Sequence, residues 1–98
     1  MILVINTSGA GLEFVLDDKY KHIDAEKQSI ALPDQAEKFL AECGAQWSDL
    51  TAIGVVVGPG SFTGIRLGIA YAKGLALGLN IPVVPVNAFE IYLRATPD

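Results

Sequence analysis

The chain has 98 residues, room for one domain and little more. Half of it is hydrophobic (51%), and its mean hydropathy of +0.40 points to apolar surface that something outside the chain covers. A net charge of −4 with seven scattered Lys and Arg argues against backbone-driven nucleic-acid binding, and a lone Cys43 excludes an internal disulfide.

Ile2-Leu3-Val4-Ile5 opens the chain as a β-branched strand with no basic segment before it, so no signal peptide is expected. Leu12 to Leu16 is a second strand, and Ser8-Gly9-Ala10-Gly11 between the two reads as a hairpin connection. Asp17-Asp18-Lys19 makes a second turn, and Tyr20 to Asp24 makes a third, weaker antiparallel strand. Residues 25–32 read as a polar connection. A helix is then expected from Pro33-Asp34-Gln35-Ala36-Glu37, with Asp34 as N-cap, Glu37 as its capping-box partner and Gly44 as the C′ residue.

Ile53 to Val57 is apolar throughout, the pattern of a strand buried on both faces. Gly58-Pro59-Gly60 leads into a helix from about Ser61 to Leu79, which Asn80-Ile81-Pro82 ends. Val83 to Val86 reads as another buried strand, and Asn87 as the cap of a last helix through Phe89, Ile91 and Leu93. The order β-β-β-α-β-α-β-α is that of a ribonuclease-H-like half-module of the actin and Hsp70 ATPase superfamily: an α/β domain with a mixed five-stranded sheet, spanning residues 1–98. The longest apolar stretch, Leu67 to Leu79, holds Lys73 and three glycines and is too short to span a bilayer, so a cytoplasmic location is expected.

The helix after the glycine loop is the most informative element. At about 100° per residue, Gly68, Tyr71, Leu75 and Gly78 fall within roughly 40° of Gly64. Arg66 and Lys73, its only charges, lie opposite. Glycines four apart permit a close approach by another backbone. Gly74 and Gly78 are expected to pack on the domain's own sheet, and Gly64 and Gly68 against a helix of another chain.

Gly58 to Gly64 lies between a strand and a helix, where backbone N–H groups can hold an anion, but it is neither a P-loop nor a dinucleotide fingerprint. Capping by Ser61 or Thr63 is the simpler role, with phosphate contact open. Ser61 is not in a nucleophile elbow, and His22 is the only histidine. Cys43 reads as a small hydrophobe at a helix end, and no cluster has metal-ligand spacing. No complete active site is legible.

Gly58-Pro59-Gly60-Ser61-Phe62-Thr63-Gly64-Ile65-Arg66-Leu67-Gly68, continuing as Ala72-Lys73-Gly74-Leu75-Ala76, resembles the motif of the TsaB (YeaZ) family. Ile81 to Ala88 is similar to the strand that follows in that family, and Ile2 to Ser8 to its first strand. The resemblance implies a non-catalytic subunit that forms homodimers and binds its paralogue TsaD, which transfers the threonylcarbamoyl group to adenosine in tRNA. It implies that the small ATPase TsaE joins the assembly, and that tRNA is met only indirectly and no membrane is involved. No cofactor is implied for this chain alone, and ATP or ADP with Mg enters only in the complex. Thr7, Ser8, Gly60 and Ser61 are the candidate phosphate contacts; Gly64, Arg66, Gly68, Tyr71 and Leu75 are the candidate partner interface. Asn6 stands where the family usually has an acidic residue, and members normally continue into a second lobe. Two alternatives remain open: a nucleotide-binding actin-like ATPase domain, and a homodimerising scaffold remnant.

Overall fold

A computed structural model describes residues 1–95. The elements are β1 (Ile2–Asn6), β2 (Leu12–Leu16), β3 (Lys19–Ile23), α1 (Gln28–Glu42), a 3-10 turn (Trp47–Asp49), β4 (Ala52–Gly58), α2 (Phe62–Leu79), β5 (Val83–Asn87) and α3 (Ala88–Ala95). They build one sheet in the order β3-β2-β1-β4-β5. The first three strands pair antiparallel, as two tight connections require, while β1–β4 and β4–β5 pair parallel across helical crossovers. The expected mixed five-stranded sheet is the one found.

Strand alternation divides the core between two faces. Leu3, Ile5, Leu12, Phe14, Leu16, Ile53 and Val55 face α1 and α2, which contribute Leu32, Ala36, Phe39, Leu40, Ala72 and Ala76. Phe14 stacks on Phe39 with ring centroids 5.6 Å apart. Val15 and Val56 face the other way, under Ala88 and Ile91 of α3. Because β4 is flanked by β1 and β5 and covered on both sides, Ala52 to Val56 is buried residue after residue, which explains its unbroken apolar run.

Three features differ from the expectation. First, α1 begins at Gln28, not after Asp34, and carries Pro33 inside it. Pro33 removes the bond to the Ser29 carbonyl, a cost of about 3 kcal/mol in a helix interior. Burial of Leu32 ahead of it, and anchoring of Gln28 on the first loop, extend the helix through the proline. Asp34 is therefore an interior residue paired with Lys38 (3.1 Å), not an N-cap. Gly44 does end the helix: its φ is +72°, and the Gly44 and Ala45 N–H groups bond back to Ala41 and Leu40. Second, a capping box does occur in the chain, but at the 3-10 turn between Gln46 and Asp49. Third, β5 is not buried. It is an edge strand paired only with β4, with Val84 39% exposed, and an edge is where Pro85 can sit without breaking a ladder.

Candidate functional site

Parallel pairing of β1 and β4 brings the two loops that leave their carboxyl ends side by side. The Ser61 N–H donates to the Ser8 carbonyl (2.7 Å). Gly60, at φ +155°, lies so close to Ser8 that a Cβ there would strike both its side chain and its carbonyl. Ser61 caps α2, its hydroxyl accepting from the Gly64 N–H at 3.3 Å, as one of the two expected capping residues. Asn80 closes the other end in the left-handed region, φ 57°.

The four candidate phosphate contacts are thus neighbours, and the hydroxyls of Thr7, Ser8 and Ser61 each bond within the chain. Thr7 is buried and its hydroxyl donates to the Gly64 carbonyl. Ser8 is buried, with its N–H (2.9 Å) and hydroxyl (2.5 Å) both directed at Asn6 Oδ1. Gln28 Nε2 lies 3.2, 3.1 and 2.6 Å from the carbonyls of Thr7, Gly9 and Gly11 and donates to this loop. Every described buried side-chain polar atom has a partner, so no side chain of the loop pair is left orphaned. Among the described residues no group of three His, Cys, Asp or Glu converges on a metal position.

The glycines of α2 are placed in the reverse of the expected sense. Gly64 and Gly68, assigned to a second chain, are buried against Thr7 of this one: a Cβ at 64 would collide with the Thr7 carbonyl, and at 68 would lie 2.5 Å from its hydroxyl oxygen. Gly74 and Gly78, assigned to the sheet, face open space. The reason is the 40° drift of each four-residue step. The inward row runs Gly64, Gly68, Ala72, Ala76, all small and all buried, and the turn it sweeps carries Gly78 off that face.

The remaining interface candidates lie outward. Arg66 is exposed and stacks over the Phe62 ring at 5.5 Å. Tyr71 and Leu75 are half-buried and wall an apolar groove of about 570 Å³ with Trp47, Ala70 and Leu79, floored by Gly74 and Gly78. Burial pushes the Tyr71 phenol above its usual range, and Glu37 of α1 adds to the rise. Phe62 (74%) and Leu77 (85%) are the most exposed large side chains on this helix. Trp47 and Gln28 were invisible as site residues because each acts only through partners far along the chain.

A hairpin start, parallel βαβ continuation and loops meeting at the carboxyl ends of β1 and β4 define an actin-like, ribonuclease-H-like domain. Residues 22–97 match the family model described as TsaD, tRNA N6-adenosine threonylcarbamoyltransferase. The chain is 34% identical to the Bacillus subtilis tRNA threonylcarbamoyladenosine biosynthesis protein TsaB, over 91% of this chain and 42% of that protein. A tRNA N6-adenosine threonylcarbamoyltransferase of Nitratidesulfovibrio vulgaris is 45% identical over 58% of this chain and 16% of its own length. Among solved structures, YeaZ from Pseudomonas aeruginosa superposes with a TM-score of 0.72 at 29% identity, covering 88% of this chain and 43% of that one. The chain belongs to the TsaB (YeaZ) family. It spans less than half the length of these relatives. Among the described residues no helix is long and apolar enough to cross a membrane.

Proposed function

We propose that this chain acts in tRNA threonylcarbamoyladenosine biosynthesis as a non-catalytic subunit that docks a TsaD paralogue through the outer face of α2. The observation that carries this is the helix surface itself: a groove floored by Gly74 and Gly78 and walled by Trp47, Tyr71 and Leu75, on a helix that also exposes Phe62 and Leu77. Apolar surface of this kind fits an interaction site better than a free surface. The threonylcarbamoyl transfer to adenosine would be carried by TsaD, with TsaE joining the assembly and tRNA held by the other subunits.

Co-elution of the purified chain with TsaD, with and without ATP, tests the reading. A stable complex is expected. A chain that stays folded yet never co-elutes would refute it. Gly74→Leu is the informative variant, since a Cβ at that position meets no neighbouring atom and the side chain extends into the groove. Bulk at Gly68 is not, because that residue is part of the core.

A further inference from the structure

The polar residues buried at the exit of β1 form a connected chain that lies away from the docking face. Asn6 is 2% exposed, and both ends of its amide are committed. Oδ1 accepts from the Ser8 N–H and hydroxyl, while Nδ2 donates to Glu13 Oε1 at 2.7 Å. Glu13 is the residue directly opposite Asn6 in the β1–β2 ladder. Its other oxygen accepts from the Tyr20 hydroxyl on β3, and His22 Nδ1 lies 3.8 Å from that same oxygen.

The chemistry of position 6 follows from these neighbours. Ser8 offers two donors and needs an acceptor; Glu13 offers a carboxylate and needs a donor. An amide meets both demands at once. A carboxylate at 6 would keep Ser8 but set two carboxylates in contact where a hydrogen bond now stands, with little solvent to screen them. An apolar residue would strand both partners.

We propose that Asn6 and Glu13 are a matched amide–carboxylate pair that positions the Asn6-Thr7-Ser8 turn. The negative charge of this end of the sheet is thereby held on β2 instead of β1. Thr7 then transmits the placement: its hydroxyl bonds the Gly64 carbonyl, and Gly64 and Gly68 pack on it, so the pair sets where the first turns of α2 lie. Glu13 on β2 and Tyr20 on β3, one and two strands from β1, are positioning residues for it. The pairing stands on this geometry alone; only its effect on a partner rests on the docking reading.

Because the pair is defined by complementarity, it should be exchangeable. With Asp at 6 and Gln at 13, the Asp accepts from Ser8 and from the Gln amide, and the Gln carbonyl accepts from Tyr20. Thermal unfolding of Asn6→Asp, Glu13→Gln and the double variant tests this. Asn6→Asp is expected to lower the melting temperature by about 5–15 °C, the shift that a lost buried bond and a like-charge contact give in a domain of this size. Glu13→Gln should stay close to the parent, because Gln can accept from Asn6 and donate to Tyr20. The double variant should melt near Glu13→Gln, and it should fold even where Asn6→Asp alone does not. Capture of TsaD should fall in Asn6→Asp and return in the double variant. Equal melting of Asn6→Asp and the parent overturns the pair, and so does a double variant no more stable than Asn6→Asp. Neither outcome involves TsaD. Rescued melting without rescued capture overturns the transmission to α2.

Discussion

The Thr7 hydroxyl donates to the carbonyl of Gly64, joining the exit of the first strand to the first turn of the longest helix, 57 residues on. Nothing larger than hydrogen fits between the two backbones there, since a Cβ at residue 64 would overlap the Thr7 carbonyl. Gly64→Ala therefore sets two effects against each other. Helix propensity favours Ala by about 1 kcal/mol, while forcing a methyl into a filled space costs about 1–3 kcal/mol or more. The collision is with backbone on a buried loop that has nowhere to move, so the steric term wins. A net loss of about 1–2 kcal/mol is expected in urea unfolding, and a variant as stable as the parent would show that the contact yields easily.

Ten residues further along α2 the same substitution should have the opposite sign. Gly74 and Gly78 have no neighbouring atoms where a Cβ would stand. With no contact to lose, Gly74→Ala and Gly78→Ala each regain up to about 1 kcal/mol of helix propensity, which raises the melting temperature by about 4–8 °C in a domain of this size. Destabilisation by either would mean that these glycines pack inward after all.

Gln28 holds the loop of residues 7–11 by donating to the carbonyls of Thr7, Gly9 and Gly11. Gln28→Ala leaves those acceptors to water where water can reach and unpaired where it cannot. A loss of about 1–2 kcal/mol is expected. Hydrogen exchange should localise it to residues 7–11 and the first turn of α1. Uniformly faster exchange across the sheet would instead indicate a global role.

Cys43 caps α1 and is half-buried; burial pushes its thiol above the usual range, and Glu42 opposes ionisation further, although Lys19 pulls the other way. Since the thiolate is the nucleophile, alkylation by iodoacetamide at pH 8 should run slower than for a free thiol and continue to accelerate as pH rises past the ordinary thiol range. A rate equal to that of free cysteine would contradict the shift.

The order of elements was legible because each carries its own local mark. A short apolar run marks β2, an uninterrupted apolar run marks β4, and Ser61, Asn80 and Asn87 punctuate helix ends: Asn87 Oδ1 accepts from the Phe89 N–H at 2.8 Å. Leu93 lies in α3 as expected. The start of α1 was not legible, because Pro33-Asp34 imitates an N-terminus and the residues that overrule it, Leu32 and Gln28, do so by touching distant strands and loops. For the site, the sequence placed the glycine loop at the end of a central strand. It did not show that the Ser8 carbonyl would take the Ser61 N–H, nor that Trp47 would wall a groove on α2.

The element order and the family are legible in the chain alone, since both rest on patterns local to a few residues: hydrophobic period, turn chemistry and the block from Gly58 to Ala76. Which glycines of α2 face inward, and what the side chains of Asn6, Thr7 and Ser8 bond to, became visible in the folded packing. A helical wheel fixes the angles between residues but not the direction of the core, which is set here by Thr7 on β1, and a polar side chain is free or spent according to what folding brings opposite it, here Glu13 for Asn6 and Gly64 for Thr7.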